Sequence, residues 1–367
     1  MPRIADPAQA VTGGVDTHAE VNVAAMVDIV GRVLGTEEFA TTADGDRAVL
    51  AWMRRHGRLV KVGVEGTGSY GAALARYLTA EGVEVVEVVR PNRQARRQRG
   101  KSDAADAVAA AVAALGGEAS GRPKTHGGAA ESIRMLRVAR RGALKARTQA
   151  ANQLRDLIVT APGPLRERLA PLPTNERVAL AARFRPGELT DPHEAAKAAM
   201  VVVARRHQTL TAEIDQLDAR LEALVEHAAP PQFLAKQGVA TQVASALLVT
   251  VGDNPTRVTG EAGFAALCGA SPVDASSGKQ RRHRLNRGGD RQANSALWRI
   301  VTIRMSHDPR TRAYVARRTA EGKTTKEIIR CLKRYVAREI YKALIAHPAS
   351  PAVIGQLHHD LSVQRLT

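Results

Sequence analysis

Gly14-Val15-Asp16-Thr17-His18, followed almost at once by Val21-Asn22-Val23-Ala24-Ala25-Met26-Val27, decides how this chain starts to fold. Its alternation reads as a half-buried strand, and Gly31 marks a turn before Val33-Leu34-Gly35-Thr36-Glu37-Glu38-Phe39. Residues 14–39 are therefore expected to form a hairpin. A helix is predicted from about Gly45 to His56, with Val49, Leu50 and Met53 on one face. Leu59 to Val64 is a short apolar strand ending at Glu65. Gly66-Thr67-Gly68-Ser69 then turns into a helix over Tyr70–Ala80, and Val83–Val89 is a further strand. This order of strands and helices predicts a mixed α/β sheet, and in such sheets functional groups collect at strand ends.

The acidic residues fall at those ends. Asp16 closes the first strand and Glu65 closes a central one. Lys101-Ser102-Asp103-Ala104-Ala105-Asp106 opens an alanine-rich helix, on which residues three apart share a face, so both aspartates point to one spot. Four carboxylates converging from separate elements can bind two Mg²⁺ ions a few ångströms apart and act on a phosphodiester. Each also has a plainer reading: Asp16 as a turn residue, Glu65 as a loop carboxylate, the helical pair as acids favoured by the positive end of the helix dipole. Just upstream, Arg90 to Lys101 carries six positive charges and no acid, and Arg93, Arg96, Arg97, Arg99 and Lys101 are candidate phosphate contacts.

The 367 residues imply two or three domains, and 54 Lys and Arg against 36 Asp and Glu give a net charge of +18. The expected partner is a polyanion. A membrane surface is disfavoured, because the sequence has no run near about 18 apolar residues, no signal pattern at its start and no lipidation motif. Cys268 and Cys331 have no zinc or disulfide pattern around them and read as buried free thiols of a reducing cytoplasm. Aromatics at 3% argue against stacking platforms for single strands, so backbone charge contacts should dominate.

Beyond a Gly-rich linker from Gly116 to Gly128 lies a basic helix over Ser132–Val159, then a Pro-broken stretch and a long helix over His193–His227. In that helix Leu210, Ile214, Leu217, Leu221 and Leu224 form the apolar seam of a coiled coil or of a core-facing helix pair. Its continuous polar face favours an exposed hairpin used for oligomerisation. Phe233 to Gly252 resembles a helix-hairpin-helix with Ala240 at the second turn position, so the turn serves either a phosphate or packing. Ser276-Ser277-Gly278 then precedes Lys279, Arg281, Arg282, Arg284, Arg287 and Arg291, and residues 276–342 hold 19 Lys and Arg against five Asp and Glu. That segment is the expected polyanion surface. A serine within it reads either as a phosphate hydrogen-bond donor or as a nucleophile, its alkoxide favoured by nearby cations. Amphipathic helices are predicted over Ala293–Ser306 and Thr325–Ile345.

Val15-Asp16-Thr17-His18, Val64-Glu65-Gly66-Thr67-Gly68-Ser69-Tyr70, Lys101-Ser102-Asp103-Ala104-Ala105-Asp106-Ala107 and the block from Gly238 to Trp298 together resemble the DEDD-type insertion-sequence transposases. These are related to the Piv-type DNA invertases and are described as bridge-RNA-guided recombinases. The resemblance implies a RuvC-like (RNase H-fold) domain over residues 1–118, a helical coiled-coil middle over 119–229, a mostly helical transposase domain over 230–348 and a tail over 349–367. It implies that Asp16, Glu65, Asp103 and Asp106 bind Mg²⁺ and that Ser277, with Ser276 as the fallback, is the nucleophile. The implied partners are double-stranded donor and target DNA, a noncoding guide RNA and further copies of the chain as a dimer or tetramer, in a prokaryotic, nucleoid-associated setting without membrane. A metal-only junction nuclease is the alternative. An ASKHA-type sugar kinase shares the sheet, but its phosphate loop carries a glycine where this chain has His18.

Overall fold

The computed structural model describes residues 9–88, 102–119, 121–276, 283–284 and 286–346. They divide into two compact units, residues 1–128 with 251–259, and residues 129–250 with 260–367.

The first unit is built on a five-stranded mixed sheet in the order β3-β2-β1-β4-β5. Strands β1 (Ala10–Thr17), β2 (Val21–Val27) and β3 (Val33–Ala40) form the expected antiparallel hairpin and its extension. β4 (Arg58–Glu65) joins β1 in parallel and β5 (Glu84–Val88) joins β4 in parallel. Two helices alternate with these strands, α1 (Ala43–Arg54) and α2 (Ala72–Ala80). Thr42 starts α1 by accepting the Gly45 N–H on its side chain at 3.1 Å. Val11, Val15, Met26, Leu50, Met53, Leu74 and Leu78 form one buried cluster on this face of the sheet.

The other face is covered by α3 (Asp103–Leu115), whose Ala107, Ala110, Ala111 and Ala114 are all buried. The strands beneath offer glycine. A Cβ on Gly14 would stand 2.2 Å from the Ala111 nitrogen and 2.3 Å from the Ala107 oxygen, and one on Gly63 would stand 2.5 Å from the Ala110 oxygen. Glycine on the strands and alanine on the helix thus let backbone rest on backbone.

The second unit is helical. Helices α4 (Ala129–Thr160) and α7 (Pro192–Ala228) run antiparallel: Arg140 pairs with Asp218, while Ala150 and Leu154 share a buried cluster with Met200 and Val203. Within the expected seam, Ile214, Leu217 and Leu221 are buried by this chain's own residues, and Leu210 and Leu224 half-buried. The Pro-broken stretch between the long helices holds α5 (Gly163–Leu169) and α6 (Thr174–Ala181), whose Leu165, Leu169 and Val178 complete the same cluster.

Then come α8 (Pro231–Leu234), α9 (Thr241–Val251), a 3₁₀ turn, α10 (Gly260–Leu267) and the two-residue strands β6 (Val273–Asp274) and β7 (His283–Arg284). Helices α11 (Arg291–His307), α12 (Pro309–Ala320) and α13 (Thr325–Tyr341) follow, and a π turn (Lys342–Ala346) ends the described chain. The turn between α8 and α9 lies against Ile300 of α11, which is the packing role. Cys268 is buried, its thiol pushed up to about 12 mainly by that burial, while Cys331 is only half-buried. Among the described residues no helix is long and apolar enough to cross a membrane.

Because the seat of α3 has no room for a side-chain carbon, Gly14→Ala is expected to cost about 1–3 kcal/mol or more through overpacking. Gly68→Ala, where nothing lies within 4 Å, is the control and should stay within about 0.5 kcal/mol. Urea unfolding of the two variants, followed by circular dichroism, checks this.

Candidate metal-binding site of the sheet unit

β1 and β4 run parallel side by side, with Val15 paired to Val64, so Asp16 and Glu65 emerge together at the carboxyl ends of neighbouring strands. Thr17 ties those ends by donating its hydroxyl to the Glu65 carbonyl at 2.8 Å. Gly66, at φ 71°, then turns the chain sharply away in a conformation that side chains disfavour. A neighbouring loop is pinned by Thr67, buried and donating to Glu87 Oε1 at 2.9 Å.

The other two acids arrive on α3. Ser102 caps that helix, accepting the Ala105 N–H on Oγ at 3.2 Å, which puts Asp103 and Asp106 in the first turn. The positive end of the helix dipole favours both carboxylates there, so the helix-start reading and the cation-ligand reading describe the same placement. Asp16 and Asp106 are buried, Glu65 is half-buried and Asp103 exposed.

The acids act on one another. Burial, opposed by His18 and reinforced by Glu65, Asp106 and Asp103, raises the Asp16 carboxyl from 3.8 to about 6. His18 bridges two of the acids: Nδ1 lies 3.9 Å from Asp16 Oδ2 and Nε2 lies 4.0 Å from Asp103 Oδ1. One ligand atom each from Asp16, His18 and Asp103 falls within 4.8 Å of the others. The four sequence-derived acids are thus neighbours. His18 is the addition, and its signal was its spacing: two residues beyond Asp16, past the end of the same strand. Two carboxylates and an imidazole within reach of one another, with Glu65 and Asp106 close enough to act on Asp16, are a donor set that could hold a divalent cation.

Ser277 and the basic residues Arg93, Arg96, Arg97, Arg99, Lys101, Lys279, Arg281 and Arg282 lie outside the described residues. Ser276 is described: its N–H donates to Asp274 Oδ1 at 2.9 Å, and its hydroxyl engages the same oxygen. β6 and β7 pair antiparallel, and Arg284, Arg287 and Arg291 are exposed.

A mixed α/β unit with carboxylates gathered at its strand ends, joined to a helical unit, is the architecture expected of a RuvC-like domain with a helical partner. The IS110 DEDD family, described as Transposase, matches residues 13–161, and the Transposase IS116/IS110/IS902 family matches residues 233–316. The chain belongs to this IS110 group of transposases. It is 34% identical over 143 residues to the insertion element IS110 uncharacterized 43.6 kDa protein of Streptomyces coelicolor, a match covering 37% of this chain and 35% of that protein. The chain thus spans about a third of the length of that curated relative.

The folded protein holds the Asp16 proton more tightly than the unfolded chain does, because the raised value of about 6 stands above the ordinary 3.8. Without metal, stability is therefore expected to fall as pH rises from about 4 to about 6. A cation must displace that proton, so Mn²⁺ or Mg²⁺ affinity measured by calorimetry should rise with pH up to about 6, by up to about tenfold per unit. Asp16→Asn should remove this pH dependence and, above pH about 6, raise the metal-free Tm by about 2–4 °C per kcal/mol of relieved desolvation and repulsion.

Proposed function

We propose that this protein is an insertion-sequence transposase that cuts and rejoins DNA. The observation that carries the reading is the meeting of Asp16, Glu65, Asp103 and Asp106 at one edge of the sheet, in a chain belonging to a transposase family. Those acids would hold Mg²⁺, as two ions, which when bound polarise phosphoryl oxygens and ease the departure of the leaving oxygen. Asp16 and Asp106, being buried, supply the fixed part of the ligand set, while exposed Asp103 and His18 stand where substrate enters.

Ser277 is the nucleophile in this reading, with Ser276 the fallback. The serine oxygen attacks phosphorus, the bond from phosphorus to a deoxyribose oxygen breaks, and that oxygen leaves with a proton. Attack by a hydroxyl of the second DNA then restores the serine and joins the strands. Arg284, Arg287 and Arg291, with the arginines of the two basic stretches, hold the backbone phosphates.

A structured noncoding RNA from the element serves as guide between donor and target DNA, and the working assembly is a dimer or tetramer that includes the coiled-coil hairpin. Both follow from the family resemblance, as do residues 1–118, 119–229 and 230–348 as functional domains.

The test is incubation with donor DNA, target DNA, the element's RNA and Mg²⁺, followed by denaturing gels. Wild-type protein is expected to give a protein-linked DNA band and joined strands. Ser277→Ala should lose both, and Asp106→Ala should lose about 10²–10³-fold in rate or more. Full strand exchange by Ser277→Ala, with a covalent band shifted to no other serine, defeats the serine mechanism and leaves a metal-only nuclease.

A further inference from the structure

The helical unit holds a concentration of chemistry that the acid cluster does not use. Between α4, α9 and α11 lies a cavity of about 340 Å³. Arg134, Arg137, Arg140 and Arg141 of α4 line it together with Arg299 of α11. Arg134, Arg137 and Arg141 share a helix face, at spacings of three and four.

Two of these charges are already matched. Arg134 pairs with Glu131 at 2.6 Å, and Arg140 forks onto Asp218, with Nη2 to Oδ2 at 2.8 Å. Asp290 also lines the cavity, but it caps α11 by accepting the Gln292 N–H at 2.7 Å and receives the Thr250 hydroxyl at 3.2 Å. Among the described residues Arg137, Arg141 and Arg299 form no ion pair. Arg137 is half-buried and donates to the Gln242 carbonyl at 3.0 Å and to the Ser245 hydroxyl. Burial, with Arg140, Arg141 and Arg299 nearby, pushes its pKa down. Arg141 and Arg299 are exposed at the rim beside half-buried Arg137, and the mutual repulsion of these cations is a cost that a bound anion would offset.

The shape narrows the anion. Guanidinium forks match phosphate oxygens in pairs. Val138, Leu144, Val243 and Val249 give the recess an aliphatic wall, with Gln292 and Ser295 as polar edges. A lone phosphate would leave that wall bare, whereas the volume lies at the lower end of the range for small-ligand clefts, about 300–1,000 Å³. A base stacked and paired within a duplex cannot enter a recess. We propose that this cavity seats one unpaired nucleotide of a bound nucleic acid, its phosphate on Arg137, Arg141 and Arg299 and its sugar and base on the aliphatic wall. From the proposed function it takes only that the polyanion is a nucleic acid; metal and acids have no part in it.

The test is equilibrium binding of the full chain, in EDTA and at several salt concentrations, to fluorescein-labelled single strands of about 20 nucleotides and to the DNA duplex. DNA and RNA strands form separate arms. Arg141→Gln with Arg299→Gln should weaken single-strand binding about tenfold and lower the salt slope by about 1–2, while duplex binding stays within about twofold. Arg166→Gln with Arg183→Gln removes equal charge at exposed arginines outside the cavity and gives the baseline. Selective weakening in the DNA arm, the RNA arm or both supports the seat and names its occupant. The proposal is overturned if both double variants bind alike, or if duplex and single strand weaken together. Loss of strand cutting with this binding intact would instead bear on the acid cluster alone.

Discussion

The sheet unit depends on one contact: the backbone of α3 lying directly on the backbone of β1 and β4. Gly14 and Gly63 clear the seat, and four alanines on the helix keep its surface flat. Such a contact gains little from large apolar side chains; its strength is the density of small ones, since any gap would forfeit dispersion energy. Its geometric yield is greater. Because α3 cannot shift outward without opening a void, its first turn is held over the carboxyl ends of β1 and β4. Asp103 and Asp106 are positioned by alanines and glycines a turn or more away.

Much of this was legible because it is local or periodic. Alternation gave the hairpin, short apolar runs gave β4 and β5, and the Asp-x-x-Asp spacing at a Ser-capped start gave the acidic turn of α3. Glu65 followed from the end of a strand and Asp16 from the end of another. What escaped depends on distant partners. The rest of the site is His18, whose interest lies in its approach to Asp103, 85 positions on in the sequence. The Pro-broken stretch read as punctuation, yet its two short helices find Leu154, Ile158 and Met200 to bury against. Helix α12 went unseen because it is basic and polar, with Thr311 its one buried residue; Asp308 caps it by accepting the Thr311 N–H at 2.9 Å. The arginine recess needed α4, α9 and α11 to come together.

The two units each gather charge predominantly of one sign in a small space, a pattern often tied to function. In the sheet unit it is negative, and Asp16 carries the burden as a carboxyl reluctant to ionise. In the helical unit it is positive, with Arg137 half-dry among its neighbours. Within the same helical unit some charges are matched: Glu261 takes both Arg334 and Arg338, and Glu339 takes Arg304 and Lys236. The readings proposed for the two differ accordingly, a small hard cation at the acids and an anion with an apolar body at the arginines.

The sheet unit is not continuous in sequence. Asp253 accepts the Gly128 N–H at 3.0 Å, and Asn254 donates to the Pro123 carbonyl at 2.9 Å, so a short piece from residues 251–259 fastens the end of a unit otherwise complete by residue 128. On the ribosome these parts emerge far apart in time. The sheet can pair early, but its acidic edge waits for α3, and the fastening waits until more than a hundred further residues have been made, including both long helices. Translation itself therefore postpones the fastening of the sheet unit's end until both long helices have been made.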